Sequence, residues 1–139
     1  MRLPILLLSI LGLSLGFGHD SPSSPAANQY ATELADRFFT KFIKAVKYSD
    51  VRVMDSLLLS SNENLSSKNM IREFYKYPNT KIHDARFVGR NIATTVFFPL
   101  SPHGYDIPFK SADFILKKRF MGDWAITSME NLKYNSGKG

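Results

Sequence analysis

The side chains in this 139-residue chain that could move a proton are few, and their sequence setting limits what they can do. The histidines are His19, His83 and His103. His19 stands in a Ser- and Pro-rich stretch and His103 in a Pro-Gly turn, and nothing near them has metal-ligand spacing, so no metal site is expected. His83 and Asp84 are neighbours in an alternating run; on a regular strand they point to opposite faces, which excludes a direct dyad. Around Asp113, Phe109, Ser111, Asp113 and Ile115 alternate with Lys110, Ala112, Phe114 and Leu116. The Phe114 and Leu116 set is the one expected to face the core, which puts Asp113 outside. An enzyme made from this chain would draw on Asp113 with His83 or Tyr105 for acid–base chemistry. The absence of cysteine removes thiol catalysis, thiolate metal sites and redox exchange. No Gly-rich loop in the domain could cradle a phosphate, and no cofactor is called for.

The element that must carry the rest lies between Tyr30 and Asp50. Ala31, Leu34, Ala35, Phe38, Phe39, Phe42, Ile43 and Val46 recur at helical spacing, with Glu33, Asp36, Arg37, Thr40, Lys41, Lys44 and Lys47 on the other side. Acidic residues come early and basic ones late, the order the helix dipole favours. Upstream, an uncharged apolar run from Leu3 to Phe17 follows Arg2 and closes on Gly16 and Gly18. It reads as a signal peptide over residues 1–18, too short for a spanning helix, and predicts a secreted, extracellular protein with no stable membrane insertion after cleavage. Residues 19–28 read as a flexible leader, 29–135 as the domain and 136–139 as a tail. About 120 residues can hold a fold by its core without disulfides.

After the first helix, Ser49 or Asp50 caps a second helix to about Leu58, burying Val51, Met54, Leu57 and Leu58. A polar loop then carries Asn64-Leu65-Ser66, an acceptor sequon that makes Asn64 the candidate glycosylation site. Ser66 caps a third helix to about Tyr77 with Met70, Ile71, Phe74 and Tyr75 apolar, and Pro78 ends it. From Thr80 the period becomes two: strands over Lys81–Gly89, Asn91–Leu100, Tyr105–Phe120 and Asp123–Lys133 are joined by hairpin turns. In the first of them Ile82, Asp84, Arg86 and Val88 oppose His83, Ala85 and Phe87. The fold class is α+β, with three N-terminal helices packed on a curved antiparallel sheet of about four strands.

The helix end FIKAVKYSD, the helices VRVMDSLL and KNMIREFY, and the closing hairpin FILKKRFMGDWAITSM together resemble the nuclear transport factor 2-like superfamily, in particular its small secreted members. The resemblance covers about Tyr30 to Lys133, and its most specific pieces are Asp50 and Gly122 to Ile126. It implies a cone, a bent sheet wrapped around helices that often encloses an apolar pocket, and a homodimer through the outer sheet face. The superfamily includes ketosteroid isomerase, whose hydrogen-bonding Tyr late in helix one is matched here by Phe42, which cannot donate. The base Asp of those enzymes sits between helices two and three, where this chain has SSNENLSS; their second donor corresponds to Asp113. One carboxyl without the Tyr and the base does not make a proton-transfer site.

The chain is therefore expected to be a non-enzymatic binding domain for a small apolar ligand or a protein partner. An isomerase or dehydratase using the cone is the alternative. A cystatin-like inhibitor is a second one, disfavoured by three helices ahead of the strands and by the lack of a Gln-x-Val-x-Gly segment. If a ligand pocket exists, Phe38, Phe42, Phe74, Phe97, Phe114 and Trp124 are its candidate lining; otherwise these aromatics form a packed core. The formal net charge of +6 is scattered, with Lys117-Lys118-Arg119 the one tight run, read as a solvated strand end. No nucleic-acid recognition motif accompanies it.

Overall fold

In the computed structural model, which describes residues 24–59, 65–101 and 108–136, Ser24 starts the first helix. Its Oγ accepts from the Ala27 N–H at 3.1 Å, and Pro25 follows at a position where a helix needs no N–H donor. Helix α1 accordingly spans Pro25–Lys47, so residues 25–28, read from sequence as leader, are helical. The Ser/Pro composition that suggested a linker is here a cap followed by a helix-starting proline.

The exit from α1 is equally determined. Ser49 takes a left-handed backbone (φ 51°), the Ser49 N–H donates to Val46 O and the Asp50 N–H donates to Ala45 O at 2.8 Å, a Schellman closure. Asp50 then caps α2 (Val51–Ser56), its Oδ1 accepting from the Val53 N–H. Ser66 does the same for α3 (Ser67–Phe74) through the Asn69 N–H. Met54, Leu57, Met70 and Phe74 are buried as expected, whereas Val51 (52% exposed) and Tyr75 (61%) are not. Val51 is the first residue of α2 and Tyr75 follows the last residue of α3, so both stand at helix ends.

The strands are β1 (Lys81–Val88), β2 (Asn91–Pro99), β3 (Phe109–Lys118) and β4 (Trp124–Asn135), antiparallel in the order β1-β2-β3-β4. On β2 and β3 the inner set is Ile92, Thr94, Val96, Phe98, Ala112, Phe114 and Leu116, all buried against α1 and its companions. Three irregularities bend the sheet: a register shift at Ile82/Asp84 in the β1–β2 pairing, and two more where β4 pairs with β3. The edge of β4 is covered at one point by the chain leaving α2. The Ile126 N–H donates to Leu57 O and the Leu59 N–H to Ile126 O, both at 2.8 Å, forming a parallel bridge at Leu58. A short extended segment therefore does fit between α2 and α3, ahead of the polar loop. Residues 1–18, Asn64, His103 and Tyr105 lie outside the described residues.

Candidate functional site

The interior is where a cone-shaped domain would hold a ligand, and here it is filled. Phe39, Phe42, Phe74, Phe98 and Phe114 are each at most 1% exposed. Their rings touch one another, with centroids from 4.2 Å (Phe74–Phe98) to 6.3 Å (Phe42–Phe114), in tilted and edge-on arrangements. Such rings are worth burying for their area and gain further from mutual geometry. Of the six candidate lining residues, Phe38, Phe42, Phe74 and Phe114 belong to this core. Phe97 does not: it alternates with buried Val96 and Phe98, lies on the outer face, and stacks between His83 (4.6 Å) and Phe109 (4.9 Å).

The acid–base candidates are not brought together. Asp113 is on the outer face, paired across strands with Thr95 and Glu130. Thr95 Oγ1 donates to one carboxylate oxygen at 2.6 Å and Asn131 Nδ2 to the other at 2.8 Å. The hydrogen bond from Thr95, then that from Asn131, holds the Asp113 carboxyl below the usual carboxylate range, against the opposing effect of burial. A carboxylate so held is a poor base and cannot donate as a protonated acid. Asn131 was not anticipated; it stands in a left-handed conformation (φ 56°) inside the β3–β4 irregularity, which turns its amide toward Asp113.

His83 is on β1, so β2 separates it from Asp113. The expected opposition of His83 and Asp84 is overturned by the register shift between Ile82 and Asp84. Ile82 and Ala85 both turn inward, and His83, stacked on Phe97, shares the outer face with Asp84, whose carboxylate pairs instead with Arg86 at 3.3 Å. One inserted residue breaks the two-residue alternation. Between α2 and α3 the described bridging residues are Leu57, Leu58 and Leu59, none of which can accept a proton; residues 60–64 lie outside the described residues. Among the described residues no group of three His, Asp or Glu side chains could hold a metal ion.

Where the core opens, at the end of the sheet carrying the β3–β4 hairpin, Trp124 forms one wall of a cleft of about 440 Å³. Leu34, Phe38 and Leu57 give it an apolar floor; Arg37 and Lys41 from α1 and Lys118 from β3 put cations around the mouth, and Asp123 is the one carboxylate among the described lining residues. Lys118 Nζ lies 5.9 Å from the centre of the Trp124 ring, a cation–π approach. Asp123 and Lys41 pair at 3.8 Å with side chains 87% and 61% exposed, a contact too wet to hold either in place. The size suits a small molecule with an apolar body and a negative head. Lys118 is exposed, as expected for a solvated strand end, and its even-numbered place after Ala112, Phe114 and Leu116 turns it toward the cleft side of the strand.

Residues 29–133 match the family model described as an NTF2-like domain. The chain belongs to the NTF2-like family. The chain is similar to the solved structure of a conserved protein from Planctomyces limnophilus DSM 3776, 15% identical, covering 76% of this chain and 99% of that one with a TM-score of 0.49. Another is a proposed ketosteroid isomerase from Shewanella frigidimarina NCIMB 400, 12% identical, covering 73% and 94% with a TM-score of 0.49. No curated protein matches the chain. In this NTF2-like domain the described interior is packed with phenylalanine, and a cleft opens beside it at Trp124.

Proposed function

We propose that this NTF2-like domain is a non-enzymatic binding module that takes an amphipathic anion in the Trp124 cleft. The observation that carries the reading is the filled interior: five mutually packed phenylalanines occupy it, and at the Trp124 cleft an apolar floor of Leu34, Phe38 and Leu57 meets solvent beside Arg37, Lys41 and Lys118. The isomerase and dehydratase alternatives lose support, because Phe42 is packed in the core and Asp113 is an outer-face carboxylate bound by Thr95 and Asn131.

The single tryptophan makes the test direct. Titration with dodecanoate should change Trp124 fluorescence saturably, and Lys118→Met should weaken dodecanoate binding while leaving binding of the uncharged dodecanol unchanged. No saturable change with either compound would refute the reading. Secretion, directed by residues 1–18, and a glycan at Asn64 belong to the same proposal. Expression in a eukaryotic host would test both, by the N-terminal sequence of the exported protein and by its mass before and after glycosidase. The outer-face row of His83, Phe97 and Phe109 supports a second reading, pairing of two copies through the sheet. Sedimentation equilibrium giving a monomer at every concentration tested would remove it.

A further inference from the structure

We propose that the β3–β4 hairpin docks this domain on an anionic phospholipid surface, with Phe120 and Met121 entering the headgroup layer. Phe120 is 98% and Met121 88% exposed, two consecutive large apolar side chains at the tip of a turn. The turn does not depend on them: it is closed by the Arg119 N–H donating to Asp123 O at 3.1 Å and the Gly122 N–H donating to Arg119 O. Single exposed apolar residues are ordinary, but an adjacent pair projecting from a hairpin is not explained by the fold.

The surroundings of the tip say what covers it. Behind Phe120 stand Lys117, Lys118 and Arg119, the last fixed in place by its Nη2 donating to Leu58 O at 2.8 Å. Because the strand order is β1-β2-β3-β4, the β1–β2 turn lies at the same end and adds Arg90, beside Val88, which is 46% exposed. Arg90, Lys117, Lys118 and Arg119 border, with Phe120 and Trp124, a hollow of about 800 Å³. Asp123, the carboxylate in the same turn, faces Lys41. The arrangement is a convex apolar tip ringed by cations, the charge complement of a negatively charged headgroup layer, and its protruding tip fits an interface better than it fits another protein's groove.

Co-sedimentation with phosphatidylcholine vesicles, with and without phosphatidylserine, tests the proposal. The protein should bind the phosphatidylserine vesicles, and added salt should release it as the charges are screened. Phe120→Ser with Met121→Ser should lower partitioning at least about tenfold, the effect of exposing two such side chains. Arg90→Gln with Lys117→Gln should lower it about fivefold per charge removed. Neither double variant should alter dodecanoate binding at Trp124, which separates this surface from the cleft. Three results would overturn the proposal: equal binding to neutral and anionic vesicles, no binding to either, or unchanged binding by both variants. So would a change in the lipid-free sedimentation mass of the Phe120/Met121 variant, which would mark the tip as a contact between copies.

Discussion

Lys110 and Lys118 are on the same strand and the same side of it, eight positions and so roughly 26 Å apart, and they have opposite fates. Lys110 Nζ donates to both the backbone oxygen and the carboxylate of Glu73 at 2.8 Å, with side chains 19% and 33% exposed, and lies 5.3 Å from the Tyr77 ring centre. Tyr77 meets Tyr134 there, and burial, reinforced by Tyr134, pushes its phenol up. A hollow of about 430 Å³ borders Lys110 at that end, but the lysine itself is already engaged by Glu73. At the other end Lys118 leans on Trp124 beside an open cleft. One strand thus carries a structural cation and a cation available to a ligand, and the difference lies in what the helices supply opposite each: a carboxylate from α3, or more cations from α1.

The largest effect should come from the packed interior that lies between the two ends. Phe42→Ala should cost about 3–5 kcal/mol in chemical denaturation, the loss of a buried ring plus its cavity. A loss under about 1 kcal/mol would mean that the core is looser than its ring contacts imply. The two lysines can then be set against each other. Lys110→Met leaves Glu73 without its partner in a half-buried place and should cost about 1–2 kcal/mol, whereas Lys118→Met should stay within about 0.5 kcal/mol and show its effect in dodecanoate binding. Equal losses in stability would erase the difference between the two lysines. Asp50→Ala, which removes the α2 cap below the cleft floor, should cost about 1 kcal/mol and loosen the cleft edge at Leu57.

The smallest effect concerns the outer face. The folded-state carboxyl of Asp113 sits below its unfolded value, so the unfolded chain takes up the proton first as pH falls. The associated stability is present above the unfolded carboxylate pKa and is lost as pH drops through the folded one. Thr95→Val should therefore destabilise by about 1 kcal/mol at neutral pH, and the gap from the parent protein should shrink in acid. A gap independent of pH would show that Thr95 acts on packing rather than on the Asp113 charge.

Much of this could be read along the chain. The α1 stripe, the Asp50 and Ser66 caps, the change of period near Thr80 and the inward set of Phe114 and Leu116 are local patterns with local causes, and so was the placing of Asp113 outside. The match of Phe42 to a donor position was enough to question catalysis. Trp124 was marked as a lining candidate, but the cleft itself was hidden, because Leu34, Arg37 and Lys41 come from the first helix, Leu57 from the second, and Lys118 from a strand sixty residues later. The leader misled because Ser and Pro serve equally in linkers and in helix starts, and His83 misled because a single extra residue in β1 carries no compositional mark.

By itself, then, the order of residues determined which elements form, where they begin and which faces are apolar, since capping and periodicity act within a few positions. Only the tertiary structure decided that the cone is filled rather than hollow, because the fit of five rings is a matter of volume and angle between segments remote in sequence. It also decided that Lys110 is paired and Lys118 open. A lysine's role is set by what is packed opposite it, and no neighbour along the chain carries that information.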